Sequence, residues 1–212
     1  GGETYGMFIN STPPNMVPLF TVHPNGSIQE NAYSSENLIQ DEWHHLVGTW
    51  DRQIVKIYMD GTLRGEHDYG SEQPLLYNMI DLKIARNEAE ARRYLDGCLD
   101  DVMLFDRVLS PAEIDSMYHI GDWDIIPTDA PFAYYPLDGD ANDASGHGNH
   151  GVNSGAQPTV DRFGNPNSAM LFNGSSDFID LDALDGFSVP NFSLSGWFNS
   201  FTMGTGSESS DW

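Results

Sequence analysis

The sequence predicts an all-β protein, an antiparallel two-sheet sandwich with one short helix. Short apolar runs rich in β-branched and aromatic residues recur along the 212 residues, and turn residues separate them. Gly (21), Pro (12) and aromatic residues (12%) are abundant, which is typical of short strands joined by tight turns. Only one segment carries a well-marked helix signature.

The predicted strands follow from this pattern of apolar runs. Asp60-Gly61 follows one such run and predicts a hairpin, because both positions of its turn require a positive φ. Most of residues 143–151 are small and polar, so they are expected to form a loop. The loop is either ordered without a ligand or part of a ligand-binding site. The strands are expected at residues 5–9, 19–22, 43–50, 54–59, 82–85, 99–105, 132–137, 169–172, 178–181 and 192–198.

The helix is predicted from its first turn. Ser110 is the N-cap, Pro111 takes the first helical position, and Glu113 completes a capping box. The helix should run to about Tyr118, and Gly121 should end it. Residues 121–131 are acidic, contain two prolines and lack periodicity, so they are interpreted as a linker.

The charge balance restricts the partners. Asp and Glu number 32 against 9 Lys and Arg, a net charge of −23, which repels phosphate backbones and anionic lipids. Nucleic-acid binding and membrane insertion are therefore not expected, and no membrane-spanning run is visible. Three explanations of the surplus carboxylates remain, namely binding of divalent cations, adaptation to a salty medium, and simple solubility. Cys98 has no second cysteine to pair with and is expected to be a small buried hydrophobe.

Two sets of motifs resemble the laminin-G-like (concanavalin-A-like lectin/glucanase) jelly-roll family. The first set resembles the central strands, last strand and closing helix of the family, and the second resembles its opening strands. Met103 departs from the pattern, since the family more often has a basic residue there. The motifs lie in residues 43–66, 95–118, 134–151, 161–164, 168–174 and 192–197, and they include Trp43-His44-His45-Leu46-Val47, Leu109-Ser110-Pro111-Ala112-Glu113, Tyr134-Tyr135-Pro136-Leu137-Asp138 and Asp161-Arg162-Phe163-Gly164.

The resemblance implies a jelly-roll sandwich and an unusual order of its parts. Residues 1–120, the back half, resemble the C-terminal half of one such domain. Residues 132–212, the front half, resemble the N-terminal half of a following domain, and residues 121–131 link them. Each half alone would leave an apolar sheet face and open edges uncovered. The two halves are therefore expected to pack together as one permuted sandwich.

A calcium site is the candidate metal centre. Strict alternation places Asp100 on one strand face with Val102 and Leu104, and the family's basic residue at the Met103 position suggests that this face is inward. A buried carboxylate needs a cation or several donors, and basic residues are scarce. The expected Ca²⁺ ligands are Asp100, Asp138, Asp143 and Gly146, with Asp101 as the alternative if the face is reversed. Backbone N–H donors remain the other explanation for Asp100.

Other kinds of site are less well supported by the sequence. His44 and His45 point to opposite faces of a strand, so they cannot both bind one metal ion, and His147 and His150 lack the spacing of a zinc site.

A glycosidase on this fold needs two carboxylates about 5–9 Å apart on one strand face. The nearest matches are a pair in a charged turn and a pair flanking a loop, so no catalytic residues are expected. These pairs are Glu88 with Glu90 and Asp180 with Asp182.

The resemblance therefore predicts a non-catalytic binding or adhesion module at an extracellular or cell-surface location. Its partners would be a glycan or an extracellular protein, with neighbouring domains of a longer chain and associated Ca²⁺. The alternatives are a ligand-free structural spacer repeat and, more remotely, a glycoside hydrolase.

Overall fold

The computed structural model describes residues 5–12, 15–24, 30–75, 82–86, 94–119, 130–181, 184, 187 and 189–201. Antiparallel strands and one short helix make up its regular structure, which confirms the all-β prediction. The strands are β1 Tyr5–Thr12, β2 Asn15–Val22, β3 Glu30–Tyr33, β4 Trp43–Trp50, β5 Ile54–Met59, β6 Thr62–Asp68, β7 Lys83–Ile84, β8 Asp96–Phe105, β9 Ala133–Tyr135, β10 Val152–Ser154, β11 Gln157–Thr159, β12 Ala169–Asn173, β13 Phe178–Asp180 and β14 Phe192–Ser200. The helix, α1, is Pro111–His119.

The large sheet combines strands from both halves of the chain. Its order is β11-β12-β8-β14-β4-β5-β6, and β9 also pairs with β8. β8 of the back half thus lies between β12 and β14 of the front half, and β14 lies between β8 and β4. The two halves share one hydrogen-bonded sheet.

Two smaller sheets cover the inner face of the large sheet. Their orders are β1-β2-β3 and β10-β13-β7. Phe20 on β2 and Ile179 on β13 are fully buried in the same hydrophobic core as Trp50 and Phe172 of the large sheet. Gly48 allows this approach, because a Cβ there would lie 2.3 Å from the Phe20 ring. These layers give the two-sheet sandwich expected from the sequence.

The helix covers part of the outer face of the large sheet. Ile114 and Met117 pack there with Val47, Met103 and Phe105. The capping box forms as predicted, since Ser110 N–H donates to Glu113 Oε2 (2.7 Å) and Glu113 N–H donates to Ser110 Oγ (3.3 Å). The predicted helix end at Gly121 and most of the 121–131 linker lie outside the described residues.

The turn between β5 and β6 also forms as predicted. Asp60 (φ 52°) and Gly61 (φ 74°) both have the left-handed conformation that this hairpin requires. β6 is the second strand of this predicted hairpin. Three short strands, β3, β10 and β11, were not predicted, because their residues lack a clear apolar alternation. No helix in the described part of the chain has the length and apolar character needed to cross a membrane.

Candidate functional site

A β-bulge in β8 determines where the two adjacent aspartates point. Trp197 pairs with Asp100 and Ser195 pairs with Met103, so Asp101 and Val102 together oppose one residue of β14. Asp101 has φ 52°, outside the strand region. Asp100 therefore lies on the outer face beside Trp197, while Val102 points into the inner core. The prediction that Asp100 shares a face with Val102 and Leu104 is wrong, because the bulge interrupts the alternation.

Arg162 supplies the cation for both aspartates. Its Nη1 donates to Asp100 Oδ2 (2.5 Å) and to Asp101 Oδ2 (2.8 Å), and Tyr134 Oη donates to Asp101 Oδ1 (2.8 Å). The three charged side chains are almost completely buried, at 5% exposure for Asp100 and 7% for Asp101 and Arg162. Basic residues are scarce in the sequence, but Arg162 contacts both aspartates, so Asp100 has a cationic partner within the protein.

Aromatic rings hold the guanidinium in place. Its central carbon lies 4.5 Å from the centres of both the Phe163 and Trp197 rings, so the cation is stacked between them. Trp197 also contacts the His45 ring (5.1 Å) and stacks on Tyr118 of α1 (5.8 Å). The ion cluster thus continues into the aromatic packing beneath the helix.

The cluster has more negative than positive charge. Burial and the neighbouring Asp101 carboxylate raise the pKa of Asp100 to about 8, although Arg162 acts in the opposite direction. Asp161 and Asp138 raise this pKa further. One guanidinium cannot neutralise two buried carboxylates, so we expect Asp100 to retain its proton near neutral pH.

This proton makes the stability of the fold depend on pH. The unfolded chain releases the Asp100 proton near its ordinary pKa of about 3.9, whereas the folded chain keeps it until about pH 8. Asp100 therefore contributes stability that is complete below the unfolded pKa and is lost as pH rises toward 8. Comparing urea unfolding of wild type and Asp100→Asn across this range should show that the variant becomes relatively more stable with rising pH. A difference that stays constant across this range would contradict the retained proton.

Asp143 organises the polar loop that follows β9. Its Oδ1 accepts hydrogen bonds from the N–H groups of Tyr134 (3.0 Å) and Ser145 (2.8 Å). Its Oδ2 accepts from Ser145 Oγ and Asn149 N–H, both at 2.8 Å. Burial opposes ionisation of Asp143, but these hydrogen bonds hold its pKa below the usual value. The carboxylate is therefore ionised and fixes the loop conformation.

The four expected calcium ligands differ in their contacts and in their exposure to solvent. Asp100 faces Arg162, Asp143 accepts hydrogen bonds within its own loop, and Asp138 and Gly146 are exposed. A guanidinium thus lies beside Asp100, where a Ca²⁺ ion was expected, and the Ca²⁺ site stays a prediction. Among the described residues, no group of three or more His, Cys, Asp or Glu side chains is arranged to hold a metal ion.

The histidines considered as metal ligands have partners within the fold. His44 Nδ1 contacts Asp60 Oδ2 (2.8 Å), and His44 Nε2 accepts from Ile39 N–H (3.0 Å). His45 Nε2 contacts Ser195 Oγ (2.9 Å), and burial lowers the His45 pKa to about 3, so this imidazole is neutral. In the polar loop, the Nδ1 atoms of His147 and His150 contact Ser145 Oγ and Asp143 N–H respectively.

Of the carboxylates considered for hydrolysis, only Asp180 lies among the described residues. Asp180 Oδ2 accepts from Lys83 Nζ (2.7 Å), while Asp182, Glu88 and Glu90 lie outside the described residues. The buried Asp100 and Asp101 pair is held by Arg162 on the helix-bearing side of the sheet. Its chemistry is charge compensation within the fold.

A surface cleft of about 340 Å³ lies where residues of the two halves meet. Its size falls within the range of small-ligand sites. Arg52 and Gln73 provide its polar groups, and Arg52 Nη2 also pairs with Glu72 (2.8 Å). The remaining lining residues are apolar, namely Pro74, Leu75, Val189 and Pro190. This cleft was not predicted, because the residues that form its walls are far apart along the chain.

Comparison with known proteins supports the fold. Residues 1–115 match the laminin G-type model of the concanavalin A-like lectin/glucanases superfamily. The chain is also similar to the adhesion G-protein coupled receptor D1 of Homo sapiens, with 30% identity over 84 residues, which is 36% of this chain and 9% of the receptor. The chain therefore spans less than a tenth of that relative's length. No solved structure matches significantly. Because the family model covers more than half of the sequence, the chain belongs to the concanavalin A-like lectin/glucanase superfamily, as a laminin G-type domain.

Proposed function

We propose that this chain is a non-catalytic extracellular binding and adhesion module that recognises a glycan or a protein. Membership in the laminin G-type family is the observation that carries the proposal. The similarity to part of an adhesion receptor supports a cell-surface or extracellular location. The surplus of carboxylates disfavours nucleic acid and anionic membranes as partners.

The buried polar groups support a binding role more than a hydrolytic one. A glycosidase needs one carboxylic acid and one carboxylate about 5–9 Å apart with the sugar between them. Asp100 and Asp101 instead share one guanidinium and are inaccessible to a sugar. The cleft beside Arg52, lined by residues of both halves, is the surface concavity that we test as the ligand site.

The experiment is a glycan array covering neutral, acidic and sulfated sugars, combined with a polysaccharide hydrolysis screen. We expect binding without turnover, and we expect Arg52→Ala to weaken it if the cleft is the site. Arg64→Ala is the matched control, because Arg64 pairs with Glu36 elsewhere on the surface (2.6 Å). Turnover of any polysaccharide would refute the non-catalytic assignment. Absence of binding to glycans and to extracellular proteins would instead favour a structural spacer.

Calcium association is a separate proposal with its own test. A Ca²⁺ site built on Asp100 predicts that Ca²⁺ stabilises wild type by about 2.7 kcal/mol at a hundredfold excess over Kd. It also predicts that Asp100→Ala loses this effect. The pairing of Asp100 with Arg162 predicts the opposite, namely the same response in both proteins. Thermal melts in Ca²⁺ and in EDTA separate the two outcomes.

A further inference from the structure

We propose that the back half and the front half form a complete non-covalent interface, so that the front half of a second copy of this chain can replace the chain's own. The partner is thus another copy of the same protein. The proposal concerns self-association and does not depend on ligand binding.

The strand order provides the first argument. β8 is hydrogen-bonded on one side to β12 and β9 and on the other side to β14, all from the front half. β14 pairs along its length with β4, from Phe192 with Trp50 to Asn199 with Trp43. Both long edges of β8 and one edge of β4 would be open in the back half alone, and open edges of this kind pair with another strand.

The shared core provides the second argument. Trp50 and Leu99 of the back half are buried in one cluster with Tyr135, Phe172 and Phe192 of the front half. These five side chains are at most 2% exposed. Separating the halves would bring this apolar surface into water, which opposes dissociation.

The charged pairs across the interface give it specificity. Arg162 of the front half reaches Asp100 and Asp101 of the back half, and Lys83 of the back half reaches Asp180 of the front half (2.7 Å). The side chains of Arg162 and Lys83 are 7% and 6% exposed. Buried charges tolerate few alternative partners, so another copy carrying the same charges at the same positions is the fitting one.

Residues 121–131 connect the two halves covalently, and this connection keeps the halves close together. A tethered partner has an effective concentration on the order of mM, so a folded chain normally closes on itself. The contacts are the same when the half comes from a second copy, and exchange of identical elements is a common route to dimers. Two neighbouring chains can therefore form a dimer in which the front half of each chain packs against the back half of the other.

The test uses the full chain with a specific protease site, flanked by glycine and serine, placed within residues 121–131. After folding and cleavage, we expect the two fragments to co-elute in gel filtration. Cleaved ¹⁵N-labelled and unlabelled proteins are then mixed, unfolded in urea and refolded. Native mass spectrometry should show unlabelled, mixed and fully labelled pairs in a ratio of about 1:2:1, because either front half fits either back half.

Variants of the interface make the result specific. Arg162→Gln should raise the dissociation constant of the cleaved pair by about 100-fold or more, because it leaves buried carboxylates without their cation. Arg64→Gln, which removes an ion pair within the back half, should leave it unchanged. Lys83→Gln serves as a second interface variant if Arg162→Gln does not fold. Separation of the cleaved wild-type fragments, or refolding without mixed pairs, would overturn the proposal.

Discussion

Arg162→Ala should destabilise the protein by about 3–5 kcal/mol, the usual cost of removing one partner from a buried ion pair. The variant leaves Asp100 and Asp101 buried without a cation and removes the stacking on Trp197 and Phe163. Protonation of both carboxyl groups is the remaining way to relieve the charge. We therefore expect the loss to be largest at high pH and smallest at low pH. Urea unfolding followed by circular dichroism measures it.

Two controls make the Arg162 result interpretable. Arg64→Ala removes a half-exposed ion pair and should cost no more than about 1 kcal/mol. The double variant Asp100→Asn with Arg162→Ala should recover part of the loss at high pH, where Asp100 is ionised and the substitution removes one of the buried charges. A loss below about 1 kcal/mol for Arg162→Ala would show that the cluster contributes little to the stability.

Phe172→Ala should cost about 3–5 kcal/mol, the range measured for deletion of a buried phenylalanine ring. Phe172 lies on β12 in the front half and is fully buried in the core that it shares with Trp50 of the back half. If the halves unfold together, a cavity in the front half destabilises the back half equally. Tryptophan fluorescence and far-UV circular dichroism should then give the same shift in the urea midpoint.

The matched control for this substitution is Val160→Ala in the same half. Val160 is 53% exposed, so its truncation should change the stability by less than about 0.5 kcal/mol. Two separate transitions in Phe172→Ala, with only one of them shifted, would indicate that the halves unfold independently.

The sequence was sufficient for the elements whose signals are local. The capping box at Ser110 and Glu113 and the Asp60-Gly61 turn are specified by residues a few positions apart, and both form as predicted. Strands with strong apolar character, such as β4 and β8, were also located correctly. β4 has the predicted ends, whereas β8 begins at Asp96 instead of Leu99, because strand ends are determined by pairing with distant strands.

The orientation of the aspartates could not be obtained from local alternation. The bulge at Asp101 exists because β8 pairs with β14, which follows about ninety residues later along the chain. Arg162 was present among the family-like motifs, but its partners Asp100 and Asp101 are 62 and 61 residues away in sequence. A small number of basic residues together with a buried acidic pair could have suggested such a pairing, yet only the tertiary structure selects Arg162.

The most direct measurement of the central claim, that the two halves form one sandwich, is differential scanning calorimetry of the full chain. One cooperative unit predicts a single transition whose calorimetric enthalpy equals its van't Hoff enthalpy. Limited proteolysis should then give no separate resistant cores for residues 1–120 and 130–212, because their strands alternate in one sheet. Two resolved transitions accompanied by two such resistant cores would contradict the claim.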